Sequence, residues 1–339
     1  MAATLKDVAK LAQVDIGSVS RTLSGHPRAQ KLRPETRERI FDAARKLGYS
    51  RNEAAAAMRT GFNATVAIIN CATPDISISP SATGIIYGIL TAAGAENYAL
   101  KVYSDDDLPG CISQIQASQI RYVISLSTGN SKREETACLC RQAGLNLVFV
   151  YETAHGEFPS VASDNFQISK ETVRYLASMG HARIALVCGE YQKWRYMTER
   201  YNGYLAGLRE SGIEPEFRMM ICKADISGDL DEMLGRPAHQ RPTAFFCIGD
   251  GFAMQVQRAA VRKGLRVPED VSVTGFGDSN SAADALAPLT TVNEPFEQIG
   301  ISAFQLLVRG DTDLPRDPDG TCRVPCRLVK RESVAKIRR

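Results

Sequence analysis

Two stretches near the start, Thr4–Ala12 and Ile16–Gly25, carry apolar residues at helical spacing with only Gln13-Val14-Asp15 between them. So short a polar break forces two short helices to cross steeply, which is the helix-turn-helix unit. Thr4-x-x-Asp7 forms a capping box that starts the first helix. Leu5, Val8, Ala9 and Ala12 make its inner stripe, and Asp15 caps the second helix. In that second helix Val19 and Leu23 turn inward, while Ile16, Gly17, Ser20 and Arg21 share the opposite face. A third helix starts at Pro34-Glu35, lines its inner side with Ile40, Ala43, Ala44 and Leu47, and stops at Gly48. Three short helices then enclose one small core and leave the outer edge of the second free to enter a major groove.

The charge distribution suits that use. Residues 1–60 hold twelve Lys and Arg against six Asp and Glu, a net +6, which leaves −3 for the remainder of a chain whose total is +3. A basic head of this kind gains affinity for duplex DNA by releasing counterions. On the reading edge Arg21 can bond guanine in bidentate fashion and Ile16 can meet a thymine methyl. Gly17 permits close approach, and Ser18 and Ser20 can donate to phosphate or base. The next segment, Tyr49–Thr60, has four consecutive alanines and is a helix former too short to persist alone, so from its residues it is either a plain Ala-rich linker or a helix that orders on docking. Its Met58 is an apolar side chain suited to wedging into a minor-groove step.

From residue 63 the pattern changes to short apolar runs alternating with amphipathic stretches. Strands are expected at Thr65–Asn70, Tyr122–Ser127, Leu147–Tyr151, Ile184–Cys188, Ala244–Ile248 and Ser272–Phe276. Helices are expected at Ala82–Asn97, Phe166–Met179, Arg195–Ser211, Gly251–Lys263 and Phe296–Arg309. This alternation predicts an α/β body of parallel sheets in βαβ units. The nine cysteines show neither a disulfide framework nor zinc-ligand spacing, so reduced thiols, no metal and no cofactor are expected. No signal peptide and no run of 18 apolar residues is present, which predicts a cytoplasmic protein with no membrane partner. No Gly-x-Gly-x-x-Gly, P-loop or Gly-x-Ser-x-Gly motif occurs, and the four histidines are dispersed, so catalysis is not expected.

These residues resemble the lactose-repressor (LacI/GalR) family of bacterial transcription regulators. The likeness rests on Thr4-Leu5-x-Asp7-Val8-Ala9-x-x-Ala12-x-Val14, Val19-Ser20-Arg21-x-Leu23-Ser24-Gly25, Pro34–Ile40 and Leu47-Gly48-Tyr49 in the head. It continues through Ser163-Asp164-Asn165, Met179–Ala185, Arg200-x-x-Gly203-Tyr204, Val267–Val273, Pro288–Val292 and Lys330–Ser333. It implies a three-helix DNA-binding head (1–48), a hinge with a hinge helix (49–62), and an effector-binding and dimerisation domain (63–339). That domain comprises two Rossmann-like lobes as in periplasmic binding proteins, about 63–162 with 292–322 and 163–291 with 323–339, joined by three crossovers.

By position, Ile16, Gly17 and Arg21 correspond to the family's base-reading residues, and Thr4, Ser18, Ser20 and Asn52 to residues at the DNA backbone. Met58 stands where the family usually has a leucine that pries open the central operator step. Arg51 replaces the usual Pro and Ala56 the usual Arg, so either the hinge helix folds less readily or Arg51 supplies a phosphate contact of its own. Arg200 aligns with the effector-binding arginine, Asn165 and Asp250 fall at cleft-facing positions, and Ser79, Ser81 and Thr83 cluster near expected ligand contacts. The loop Glu190–Tyr196 holds the single tryptophan, Trp194, whose face can stack on a sugar ring. The run Gly275-Phe276-Gly277-Asp278 keeps Asp278 as a candidate but lacks the acidic acceptor that neutral-sugar binders commonly place before it. The expectation is a homodimeric repressor on double-stranded operator DNA, controlled by a disaccharide or a sugar acid, with a sugar-binding protein or an enzyme lacking DNA function as the alternative.

Overall fold

The computed structural model describes residues 3–23, 27–49, 63–70 and 80–337, and the chain divides into two compact units, Met1–Asn63 and Ala64–Arg339. Asn52, Met58, Arg51, Ala56, Ser79 and the hinge helix expected around them lie outside the described residues.

The first unit is three helices, α1 (Leu5–Ala12), α2 (Ile16–Leu23) and α3 (Pro34–Lys46), with a single 3-10 segment, Pro27–Lys31, among the described residues between the last two. Thr4 caps α1: its hydroxyl accepts from the Asp7 amide, and the Asp7 carboxylate accepts from the Thr4 amide. Pro34 opens α3 at a position where no N–H is needed, and Gly48 takes the left-handed φ of +57° that ends it. Val8, Ala9, Ala12, Val19, Ile40, Ala43 and Ala44 form the core, with Leu5, Leu23 and Tyr49 partly buried against it. Full burial of Val8, Val19 and Ile40 contributes about 1.5–3 kcal/mol each, a large share for so small a core.

The second unit is α/β with two six-stranded sheets. The first sheet is built from β1 (Thr65–Asn70), β2 (Ala99–Ser104), β3 (Tyr122–Ser125), β4 (Asn146–Val150), β5 (Ser160–Ser163) and β11 (Thr321–Val324) in the order 11-5-4-3-1-2. Every pairing in it is parallel. Helices α4 (Pro80–Ala95) and α11 (Phe296–Arg309) cover one face, and α5 (Leu108–Ala117) and α6 (Asn130–Ala143) the other. Along β1, Val66 and Ile68 point to the first face and Ala67 and Ile69 to the second, so the strand is apolar throughout because both faces are buried.

The second sheet repeats the plan with β6 (Ile184–Val187), β7 (Met220–Ile221), β8 (Ala244–Cys247), β9 (Ser272–Phe276), β10 (Thr290–Asn293) and β12 (Arg327–Val329) in the order 12-10-9-8-6-7. Only β10–β12 is antiparallel. Helices α7 (Asn165–Ser178) and α8 (Arg195–Glu210) pack on one face, and α9 (Ser227–Gly235) and α10 (Asp250–Arg262) on the other. The chain passes between the sheets at Asp164, at Glu294-Pro295 and at Pro325-Cys326. Two helix pairs approach closely enough to require glycine. A Cβ on Gly88 of α4 would fall 2.0 Å from Glu297 O, and one on Gly203 of α8 would fall 2.4 Å from Phe166 O. No helix among the described residues is long and apolar enough to cross a membrane.

Candidate nucleic-acid interface and ligand cleft

The outer edge of α2 is organised by its own first turn. Asp15 Oδ1 accepts from the Ser18 amide at 2.8 Å, and Asp15 Oδ2 accepts from the Ser18 hydroxyl at 2.5 Å. These bonds hold the Asp15 carboxyl below the usual carboxylate range, so it stays ionised beside Arg21. Arg21 Nη2 donates to Ser18 Oγ at 3.3 Å and lies 3.8 Å from Asp15 Oδ1. The guanidinium is thereby drawn toward the helix start, where a recognition helix meets base edges. Gly17 is what leaves room for this. A Cβ there would sit 2.9 Å from Asp15 Oδ1 and 3.2 Å from Arg21 Nη1.

Ile16 and Arg21 are exposed and Ser20 is half-buried on the same edge. Ser18, expected as a donor to phosphate or base, is instead buried behind that edge, with its hydroxyl committed to Asp15. Thr4 is exposed, and its hydroxyl donates to Asp7 Oδ2 at 2.7 Å within the capping box.

The second site lies between the two sheets, at the carboxyl ends of their strands, where α/β folds hold ligands. Two adjoining hollows of about 430 and 270 Å³ share Ser81, Tyr151 and Tyr196 in their walls. The larger is polar at its base, with Arg200, Asp250, Ser279, Ser281 and Glu294. The smaller is lined by Ile85, Leu126, Tyr151, Trp194 and Tyr196.

Arg200, on the second turn of α8, anchors the base. Its Nε donates to Asn165 Oδ1 at 2.7 Å and its Nη1 to Ile248 O at 2.9 Å. Its plane stacks on Phe276, 3.5 Å from the ring centroid, with Tyr196 at 5.0 Å. Nη2 is ion-paired with Glu294 Oε1 at 2.9 Å but is not aligned to donate to it, and it makes no hydrogen bond. Ser163 Oγ donates to that same Glu294 oxygen at 2.9 Å. The pair is almost wholly desolvated, with 4% and 2% of the two side chains exposed.

Tyr151 follows β4 with φ at +72°, a left-handed conformation costly for so bulky a residue. Such strain persists where the surroundings enforce it, commonly at ligand sites. Its ring lies 4.7 Å from that of Tyr196, and burial pushes the Tyr196 hydroxyl up to about 12 and raises Tyr151 as well. Both phenols therefore keep their protons as donors.

Other expected ligand residues divide by environment. Ser81, Trp194, Arg200 and Asp250 line the cleft. Asp250 Oδ1 accepts from Thr291 Oγ1 at 2.5 Å, and Oδ2 from the Ser279 amide at 2.7 Å. Asn165 is buried and orients Arg200 rather than lining the cleft. Asp278 is committed elsewhere: Oδ1 pairs with Arg331 Nη2 at 2.7 Å, and Oδ2 accepts from Asn293 Nδ2 at 3.0 Å. It is not among the cleft-lining residues, although its neighbours Gly277 and Ser279 are. Thr83 is exposed and does not line either hollow. Glu294 and Tyr151 were not singled out from the sequence. The available signal was a polar or aromatic residue directly following an apolar strand, where α/β sheets present side chains to a cleft.

A small helical head with an exposed polar helix edge, followed by two doubly wound lobes around a cleft, defines the class of ligand-responsive DNA-binding regulators. Residues 4–52 match the family model for bacterial regulatory proteins of the lacI family, and residues 173–334 match the periplasmic binding protein-like domain. The HTH-type transcriptional repressor CytR of Escherichia coli (strain K12) is 31% identical over 320 residues, covering 91% of this chain and 89% of that protein. This chain belongs to the lacI family of bacterial regulatory proteins. Among solved structures, the transcriptional regulator CelR–cellobiose complex matches with a TM-score of 0.67 at 26% identity, covering 98% of this chain and 99% of that one. The Lac repressor dimer bound to operator and the anti-inducer ONPF matches in fold with a TM-score of 0.78 at 21% identity, covering 99% and 100%.

Proposed function

We propose that this protein is a cytoplasmic, non-catalytic transcriptional repressor that binds operator DNA as a homodimer and is controlled by an uncharged disaccharide held between its lobes. Domain limits of 1–48, 49–62 and 63–339 accompany this reading. Arg21, Ile16, Gly17 and Ser20 read or approach base pairs, with Thr4, Asn52 and Met58 at the backbone and minor groove. The observation that carries the ligand class is the neutralisation of Arg200 by Glu294 at 2.9 Å, with a second carboxylate, Asp250, on the same cleft wall. A sugar acid would add a further anion to a site that already holds two carboxylates and one guanidinium. A neutral sugar instead takes the donors that Arg200 Nη2 does not commit to a hydrogen bond, and lays its apolar face on Trp194 or Tyr196. Two adjoining hollows suit two linked rings. The relative at 26% identity whose structure carries cellobiose supports the same class.

The homodimer is supported by exposed Tyr87 and Leu90 on α4 and by exposed Val261 and Leu286 on the second lobe, apolar side chains that a two-fold contact would cover. Calorimetry against neutral disaccharides, aldonic and uronic acids, and nucleosides tests the ligand class. Tight binding confined to the acids or the nucleosides sinks it. A gel shift on the protein's own upstream DNA, with and without the bound sugar, tests the repressor reading, and indifference to DNA sequence sinks that.

A further inference from the structure

Cys188 and Cys222 lie side by side at the carboxyl ends of β6 and β7. The two strands pair in parallel register, Leu186 with Met220 and Val187 with Ile221, and the ladder continues through the Cys188 amide donating to Ile221 O at 3.0 Å. The next residues in register are the two cysteines, and their sulfurs are 2.9 Å apart. Neighbouring strands are about 4.8 Å apart, which falls within the Cα separation that a disulfide spans.

The two thiols are unequal. Cys188 is fully buried, while Cys222 is exposed at the edge of a recess of about 480 Å³ shared with Tyr191, Gln192, Tyr201, Phe217 and Met220. Cys188 Sγ donates toward Cys222 Sγ, which favours the thiolate at Cys222 and lowers its pKa, while that of Cys188 is raised. Burial instead pushes Cys140 up to about 12 and Cys111 up to about 11.

We propose that Cys222 and Cys188 form an oxidation site for peroxides, Cys222 as the attacking thiolate and Cys188 as the resolving thiol. Cys222 attacks one oxygen of the peroxide, the O–O bond breaks, and Cys222 becomes a sulfenic acid as the other oxygen leaves as water or alcohol. Cys188 then attacks the Cys222 sulfur, the S–O bond breaks, and a second water carries off the hydroxyl and the Cys188 proton. For hydrogen peroxide the balance is two thiols and one peroxide to one disulfide and two waters. The bond lies at the root of the segment Gly189–Trp194, which carries Trp194 to the cleft and leads into α8, where Tyr196 also lines it. Oxidation therefore clamps the base of a ligand wall.

The test uses the full-length protein, hydrogen peroxide in small excess, and tryptic mapping. Cys188 and Cys222 fall on separate tryptic peptides, 184–193 and 219–223, so their linkage is read directly by mass. The expected result is that this linked pair forms ahead of any other cysteine modification and is reversed by dithiothreitol. Cys188→Ser should leave Cys222 as a sulfenic acid that dimedone traps, and Cys222→Ser, at an exposed position, should abolish the linkage in a folded protein. Linkage or over-oxidation at other cysteines first, or no dimedone label on Cys222 in Cys188→Ser, overturns the site. Trp194, the only tryptophan, reports the clamp through a reversible emission shift that is absent in Cys222→Ser. Full conversion with unchanged emission overturns the coupling to the cleft.

Discussion

Breaking the Arg200–Glu294 pair separates its structural role from its role at the ligand. With 4% and 2% of the side chains exposed, neither charge has water to fall back on. In Glu294→Leu the guanidinium keeps Asn165 Oδ1, Ile248 O and the Phe276 ring but loses its counter-charge. Removing one partner of a buried pair costs about 3–5 kcal/mol. At about 2–4 °C per kcal/mol for a domain of this order of size, Tm should fall by roughly 6–20 °C. The double variant Arg200→Met/Glu294→Leu removes both charges and keeps the volume apolar, so it should recover most of that loss, since such replacements are often neutral or stabilising. Its sugar affinity should stay lost, because the donors at the cleft base are gone. Guanidinium unfolding followed by circular dichroism, with calorimetry for the sugar, measures both quantities. A single Glu294→Leu variant within about 1 kcal/mol of the parent would refute the claim that the pair is desolvated. A double variant as unstable as the single would refute the claim that the loss comes from the stranded charge.

Three further outcomes are expected. Arg21→Ala should lower discrimination between operator and mismatched sites by about 1–3 kcal/mol in competition gel shifts; unchanged preference removes Arg21 from base reading. Gly88→Ala should destabilise by at least about 1–3 kcal/mol in urea melts, because its Cβ would meet Glu297 O, and a neutral result would mean that α4 and α11 part easily. His181 is buried between Thr243 Oγ1 and Ala335 O, and burial lowers its pKa below the ordinary 6.5. As pH falls through 6.5 the unfolded chain takes up a proton that the folded chain refuses, so stability falls until the folded imidazole titrates in turn. His181→Asn should lose that component, giving a shallower stability slope between about pH 7 and pH 5.5, and parallel slopes would exclude it.

The central strands were legible because burial on both faces writes itself as an apolar run. Thr65–Asn70 and Ser272–Phe276 stand as expected. Helices shift by a residue or two at their ends, as with Arg195–Ser211 against the observed Arg195–Glu210. Strands β2, β5, β7, β10, β11 and β12 are not among those expected from the sequence. The edge strands β2 and β12 are partly solvated, with Val102 57% exposed, so their apolar pattern is interrupted. Strand β7, at two residues, is too short to signal itself, and β5, β10 and β11 are short runs interrupted by the polar Ser160, Ser163, Thr290, Thr291, Thr321 and Arg323. At the sites, position along the chain was legible and side-chain commitment was not. Ser18 turns inward to Asp15, Asp278 is held by Arg331 from 53 positions away, and Asn165 serves Arg200 from 35 positions away. The last two partners are too distant to leave a mark on local periodicity, while Ser18 is taken by a neighbour three positions away that also caps its helix.

The triple passage between the sheets bears on how the protein is made. Residues 65–163 are made well before the strand that completes their sheet, Thr321–Val324, which follows β6 to β10 of the second sheet. Through the whole synthesis of the intervening lobe, β5 presents an unpaired edge, and α4 lacks the helix that covers it. A nascent chain in that state offers its neighbours on a polysome a template for strand addition, so premature termination before residue 321 yields a sticky fragment rather than a small folded domain.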